Sequence, residues 1–163
     1  MGFIIEVQPD SGLVEAVEPY SLQTTCENSC FGLGFYDPRA HRAFMLNTSH
    51  ALTLPLDAYL ERMFEHCRSP ELLKAVAVGP SVDSEIHARK AREYVEGMLA
   101  KFLAKERIDC RWRTNGDNIS LLELEISKGK VRATHYKSNI SSPPPEIASF
   151  SLSSRERDLE IAY

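Results

Sequence analysis

The residues that could do chemistry are concentrated between positions 24 and 50. Cys30 follows the polar residues Asn28 and Ser29 and stands at the start of the apolar run 31–36. A cysteine at the start of a strand, next to a polar loop, can expose its sulfur and lie near loop N–H groups that stabilise an oxyanion. This pattern suits acyl transfer with Cys30 as the nucleophile. A buried structural thiol is the alternative, because free cysteine is among the most buried residue types.

A β-hairpin is predicted to position Cys30. Residues 31–36 are apolar, Asp37 and Pro38 form a turn signal, and residues 43–46 are apolar again. Counting symmetrically about this turn predicts that Cys30 faces Asn47. The glycines at positions 32 and 34 have no side chains to pack, so a helix or a backbone is expected to come close to this arm.

The remaining elements are short strands and two helices. Apolar spacing predicts helices over residues 56–64 and 86–103 and strands over 13–17, 21–25, 74–78, 108–112, 119–126 and 131–136. The chain is therefore predicted to be an α/β domain with more strand than helix, spanning residues 1–137. Residues 138–163 are predicted to form a serine- and proline-rich arm in which 159–163 is a candidate last strand. Trp112, between Arg111 and Arg113, is interpreted as a core aromatic flanked by solvated charges.

Composition excludes several classes of function. With 19 Lys+Arg against 23 Asp+Glu the formal charge is -4, so no basic field collects nucleic-acid phosphates. No apolar run approaches the ~20 residues of a membrane helix, and the N-terminus lacks the pattern of a signal peptide, which predicts a cytoplasmic protein. The 4 cysteines are too few for a disulfide framework and lack the spacing of a zinc site, so no metal is expected. Cys26 could act as a resolving thiol for Cys30.

The segment around Cys30 resembles the CheD family of chemoreceptor glutamine deamidases, whose wider superfamily includes bacterial toxin deamidases. In that family a Thr precedes the catalytic Cys by six residues, through a polar loop that ends in Gly-Ser-Cys, and here Thr24 and Cys30 have that interval. The Asp37-Pro38 turn also matches the family. The resemblance covers roughly residues 11–136 and implies a mixed β-sheet or sandwich core with two main flanking helices.

The same resemblance places Asn47 at the position of the family's catalytic histidine. Asparagine cannot accept the thiol proton, and a cysteine with a pKa near 8.5 is largely protonated at neutral pH, so another base is required. His50, three residues past Asn47, is the preferred candidate. His41, nearer the turn, is the alternative.

Two functional hypotheses follow. In the first, the protein is a cysteine-dependent protein amidohydrolase, a glutamine or asparagine side-chain deamidase, in which Cys30 attacks the carboxamide and no cofactor is needed. The resemblance implies that Thr24 orients the base, and the loop at Asn28 and Ser29 would stabilise the oxyanion. In the second, Asn47 marks lost catalysis and a CheD-like module binds a partner protein. The family implies a bacterial protein of chemotaxis, and the superfamily is also compatible with a secreted effector.

Overall fold

A computed structural model describes residues 3–27, 29–49, 51, 55–67, 69–80, 86–114 and 116–137. The predicted arm over 138–163 lies outside the described residues, as do Asn28 and His50. In the described part of the chain the strands are β1 (Ile4–Glu6), β2 (Val14–Val17), β3 (Ser21–Glu27), β4 (Phe31–Asp37), β5 (Arg42–Thr48), β6 (Lys74–Gly79), β7 (Ile108–Trp112), β8 (Ile119–Glu125) and β9 (Lys130–Tyr136). The helices are α1 (Leu56–Glu65) and α2 (Ile86–Phe102). The prediction of an α/β fold with more strand than helix is confirmed.

The strands form two mixed sheets. One sheet has four strands in the order β1-β3-β8-β9, and the other has five strands in the order β2-β5-β4-β6-β7. Most neighbours are antiparallel, but β1 runs parallel to β3 and β7 runs parallel to β6. The parallel pairing of β6 with β7 is possible because α2 connects these strands and returns the chain to the same end of the sheet.

The molecule has three layers, with the five-stranded sheet in the middle. The side chains between the two sheets form the inter-sheet layer, which includes Leu22, Cys26, Met45, Val76, Val78, Leu122 and Leu124. The helices pack on the opposite face of the five-stranded sheet, where α1 buries Leu56, Leu60 and Met63 at helical spacing. Each such side chain contributes roughly 1.5–3 kcal/mol when fully buried. Both faces of the central strands are therefore covered, which explains why β4 and β6 are buried along their whole length.

The glycines of β4 allow the two sheets to approach closely. A Cβ atom on Gly32 would lie 2.6 Å from the Cys26 sulfur, and one on Gly34 would lie 3.3 Å from Leu122 Cδ2. The sequence predicted a close approach here by a helix or a backbone. The approach is confirmed, but the approaching atoms are side chains of the four-stranded sheet.

The β4–β5 hairpin is present, but its register differs from the prediction by two residues. Gly32, and not Cys30, pairs with Asn47. The last pair before the turn is Asp37 with Arg42, so the turn contains the four residues 38–41. The Asp37 carboxylate accepts hydrogen bonds from the backbone N–H groups of residues 39 and 40, which stabilises this wider turn.

Candidate functional site

Thr24 and Asn47 meet at one end of the inter-sheet layer. Both side chains are fully buried, and Asn47 Nδ2 donates hydrogen bonds to Thr24 Oγ1 at 2.8 Å and to the Thr25 carbonyl at 2.9 Å. The Thr24 hydroxyl in turn donates to the Val7 carbonyl at 2.7 Å. The single hydroxyl proton of Thr24 is therefore donated to the Val7 carbonyl, and the hydroxyl oxygen accepts a hydrogen bond from the Asn47 amide. Thr24 thus fixes the orientation of the Asn47 side-chain amide.

Cys30 lies just before β4 and packs against the inter-sheet layer. Its backbone N–H donates to the Glu27 carbonyl at 3.0 Å, closing a tight turn in which Ser29 is exposed. Burial is the main cause that raises the pKa of the Cys30 thiol, and the charges of Asp10 and Glu27 raise it further. A backbone hydrogen bond from Glu27 and the charge of Arg113 act in the opposite direction. The net direction keeps Cys30 protonated at neutral pH.

Asp10 places a carboxylate beside Cys30. The Asp10 N–H donates to the Asn47 carbonyl at 2.7 Å, and its carboxylate accepts hydrogen bonds from the N–H and the hydroxyl of Ser49, at 3.0 and 2.8 Å. Ser49 follows the pair of Phe31 with Thr48, so the register places it opposite Cys30. Asp10 has a φ of 56°, a left-handed conformation that aspartate adopts more readily than most residues. These hydrogen bonds therefore hold the loop that contains Asp10 against the open end of the β4–β5 hairpin, which is the end opposite its turn.

Arg113 brings a guanidinium group between the sheets. It is only 1% exposed, and its Nη1 donates to the Cys26 carbonyl at 3.2 Å and to Ser120 Oγ at 3.0 Å. Burial lowers the pKa of Arg113, whereas the nearby Cys26, Cys30 and Asp117 raise it. The interpretation of Arg113 as a solvated charge is wrong. Its backbone continues past β7 alongside β6, donating to the Gly79 carbonyl, and this directs the side chain inward.

His135 is a buried polar residue next to Arg113. The register aligns Cys26, Ser120 and His135 across three neighbouring strands. His135 Nδ1 lies 2.8 Å from Ser120 Oγ, and its Nε2 is buried without a hydrogen-bond partner among the described residues. Burial, followed by the charge of Arg113, lowers the pKa of His135, so its imidazole is neutral at pH 7.

Of the two predicted bases, His41 and His50, the structure describes only His41. His41 lies in the turn at the opposite end of the hairpin, where its Nδ1 is 3.1 Å from Glu18 Oε1. It is roughly 27 Å along the strand from Ser49, from the usual rise of an antiparallel strand, and therefore does not reach Cys30. His50 and the loop residue Asn28 lie outside the described residues.

Sequence reasoning missed four residues of this site, and a signal existed for two of them. Ser120 continues the inward two-residue period of Leu122 and Leu124 on β8, and His135 continues that of Val131 and Ala133 on β9, so strand periodicity could have placed both between the sheets. Asp10 and Arg113 carry no such signal, because each lies beyond the end of a strand. Among the described residues no group of three or more His, Cys, Asp or Glu could hold a metal ion.

Comparison with known proteins adds little to this geometry. No family profile matches the chain, and no curated protein sequence matches it. Among solved structures, the chain is similar to the hypothetical protein YfiH of Bacillus licheniformis, with 11% sequence identity and a TM-score of 0.49. The match covers 61% of this chain and 50% of YfiH, so the chain spans half the length of that protein. No helix in the described ranges is long and apolar enough to cross a membrane.

Proposed function

We propose that this chain is a diverged CheD-like protein that acts as a cysteine-dependent amidohydrolase on a glutamine or asparagine side chain of another protein. One observation carries the proposal: Cys30 is partly exposed just before β4, at the end of the hairpin where Asp10 is hydrogen-bonded to Ser49. The buried pair of Thr24 and Asn47 stands at the same end of the layer. A nucleophilic cysteine requires such a polar, partly accessible environment.

The proposed reaction is an acyl transfer to sulfur followed by hydrolysis. The Cys30 sulfur bonds to the carboxamide carbon, the C–N bond breaks, and ammonia leaves with the proton that came from the thiol. Water then cleaves the thioester, which releases the side-chain carboxylic acid and restores the thiol. His50 is proposed as the group that carries the proton, and N–H groups of the loop at Asn28 and Ser29 are proposed to hold the oxyanion. Arg113 favours the thiolate, because its charge lowers the pKa of Cys30.

The second candidate function is a protein-binding module that has lost catalysis. The observation that favours it is the fixed orientation of the Asn47 amide, whose nitrogen donates hydrogen bonds to Thr24 and Thr25. The CheD-like resemblance implies a catalytic base at this position. The raised pKa of Cys30 agrees with this alternative. On this hypothesis the pocket at Cys30 or the C-terminal arm would hold a signalling protein, as the CheD-like resemblance implies.

Thiol reactivity distinguishes the two functions. The rate of Cys30 alkylation by iodoacetamide is measured against pH in a variant that lacks the other three cysteines. The amidohydrolase requires alkylation at neutral pH much faster than that of an ordinary thiol, and His50→Ala should remove the excess. His41→Ala is the matched control, because that histidine lies at the far end of the hairpin. Slow alkylation with a high-pH midpoint, unchanged by either substitution, would favour the binding module.

Turnover is tested separately. A whole-cell protein extract is incubated with the protein in heavy-oxygen water, and deamidated peptides are identified by mass spectrometry. Heavy oxygen in new glutamate or aspartate side chains, absent with Cys30→Ser and present with Cys110→Ser, would support the amidohydrolase. Equal labelling with and without Cys30 would contradict it.

A further inference from the structure

Cys26 and Cys30 lie close together at the site end of the inter-sheet layer. Cys26 is fully buried near the end of β3, and Cys30 packs against the same cluster. The Cys30 backbone N–H donates to the Glu27 carbonyl at 3.0 Å, which closes a tight turn directly after Cys26, and the Cys26 sulfur lies against Gly32, two residues after Cys30. A disulfide needs Cα atoms about 4.4–6.8 Å apart, and the turn between the two cysteines holds both at the same end of the inter-sheet layer.

We propose that Cys26 and Cys30 form a redox pair that closes to a disulfide when a peroxide reaches the site. The half-buried Cys30 sulfur attacks hydrogen peroxide, the O–O bond breaks, and Cys30 becomes a sulfenic acid while one water leaves. The Cys26 sulfur then attacks the Cys30 sulfur, and a second water leaves as the disulfide forms. The two thiols together lose the two electrons that the peroxide gains. A dithiol reductant reverses the reaction.

The charge of Arg113 favours the second step, whereas the burial of Cys26 opposes it. Burial raises the pKa of Cys26 to about 12, and the charge of a Cys30 thiolate adds to this, whereas Arg113 lowers it. The sulfenic acid of Cys30 is neutral and adds no such repulsion, so the attraction of Arg113 remains. The Cys26 sulfur also lies against the backbone of Gly32, which has no side chain of its own there.

The other two cysteines are not placed to compete. Cys67 and Cys110 pack against the helix-side core, on the opposite face of the five-stranded sheet. They therefore serve as controls within the same molecule. The disulfide forms whether or not the site is an amidohydrolase, but if Cys30 is the proposed nucleophile, the disulfide would switch that activity off.

The test uses the full chain and hydrogen peroxide. The protein is treated at neutral pH, unfolded in the presence of a maleimide, and digested after glutamate, since cleavage after Glu27 separates Cys26 from Cys30. The expected result is a cross-linked pair of peptides, with loss of maleimide from Cys26 and Cys30 together and its recovery after dithiothreitol. Cys110→Ala should behave as the parent does. Cys26→Ala should accumulate Cys30 sulfenic acid, which a dimedone probe detects, and Cys30→Ala should leave Cys26 fully labelled.

Several results would overturn the redox pair. These are oxidation of Cys30 to sulfinic acid while Cys26 stays labelled, cross-links from Cys26 to Cys67 or Cys110 instead, and no loss of labelling at a peroxide concentration that oxidises an unfolded control. Failure of the amidohydrolase assay would leave the cross-link result unaffected, because the cross-link is measured on the thiols without a substrate. The two proposals are therefore judged separately.

Discussion

The close contact between the sheets at Gly32 predicts that Gly32→Ala destabilises the protein. The new Cβ would lie 2.6 Å from the Cys26 sulfur and 3.0 Å from Val78 Cγ2, whereas carbon atoms in ordinary contact are ~3.5–4.0 Å apart. Gly32 is paired on both sides, with Asn47 and with Val78, so its backbone cannot retreat without breaking the ladder. Overpacking of this kind costs about 1–3 kcal/mol, and the gain from replacing a strand glycine by alanine offsets roughly 0.5–1 kcal/mol of it.

Two other glycines provide matched controls in urea unfolding at pH 7. Gly97 is exposed within α2 and has no atom within 4 Å of its added Cβ, so Gly97→Ala should stabilise the protein by ~0.5–1 kcal/mol. The Cβ of Gly34→Ala would meet the end of the Leu122 side chain at 3.3 Å, a flexible neighbour, so its effect should be smaller than that of Gly32→Ala.

A double-mutant cycle assigns the cost of Gly32→Ala to its neighbour. Removing the sulfur with Cys26→Ala should recover part of the lost stability, a coupling of about 0.5–1.5 kcal/mol for side chains in contact. The reasoning fails if Gly32→Ala is as stable as Gly97→Ala, or if its cost is the same with and without the Cys26 sulfur. Unchanged urea dependence of the unfolding free energy would show that the variants remain comparable.

Three further predictions concern charge and pH. Asp10→Asn removes a negative charge that raises the pKa of Cys30, so Cys30 alkylation at pH 7.5 should accelerate; a slower rate would refute the placement of Asp10. Arg113→Gln removes a positive charge that lowers the same pKa, so alkylation of the folded variant should slow, and a faster rate would refute this. The pKa of His135 is lowered in the folded state, so below the unfolded value of ~6.5 the unfolded chain binds the extra proton. Unfolding free energy should therefore fall as the pH drops from about 7 to 5, by at most ~1.4 kcal/mol per pH unit, and His135→Gln should flatten this fall in urea titrations.

The elements of the fold follow from local patterns in the sequence. Apolar residues at helical spacing predicted helices over 56–64 and 86–103, and the structure has α1 and α2 within one residue of those bounds. The hairpin around its Asp37-Pro38 turn was also predictable, because its apolar arms and its turn residues are adjacent in the chain. The CheD-like assignment, the catalytic use of Cys30 and the boundary of the domain at residue 137 stay predictions.

The composition of the site was decided by tertiary structure. Symmetric counting put Cys30 opposite Asn47, but a turn of four residues shifted the pairing by two, and this shift sets Asp10 and Ser49 beside the cysteine. The residue types at the turn do not fix this register by themselves. The Asp37 side chain can cap the wider turn, but the pairing also depends on what the facing sheet can accommodate.

Long-range packing also places the charge of Arg113 between the sheets, although the sequence predicted that this charge is solvated. Arg113 and Cys26 are 87 positions apart, and only the stacking of the two sheets brings the guanidinium to the Cys26 carbonyl. Residue types and the two-residue period determined which side chains could face inward on each strand. Which of them meet was determined by the pairing and stacking of the sheets, since strands far apart in the chain come together only in the folded core.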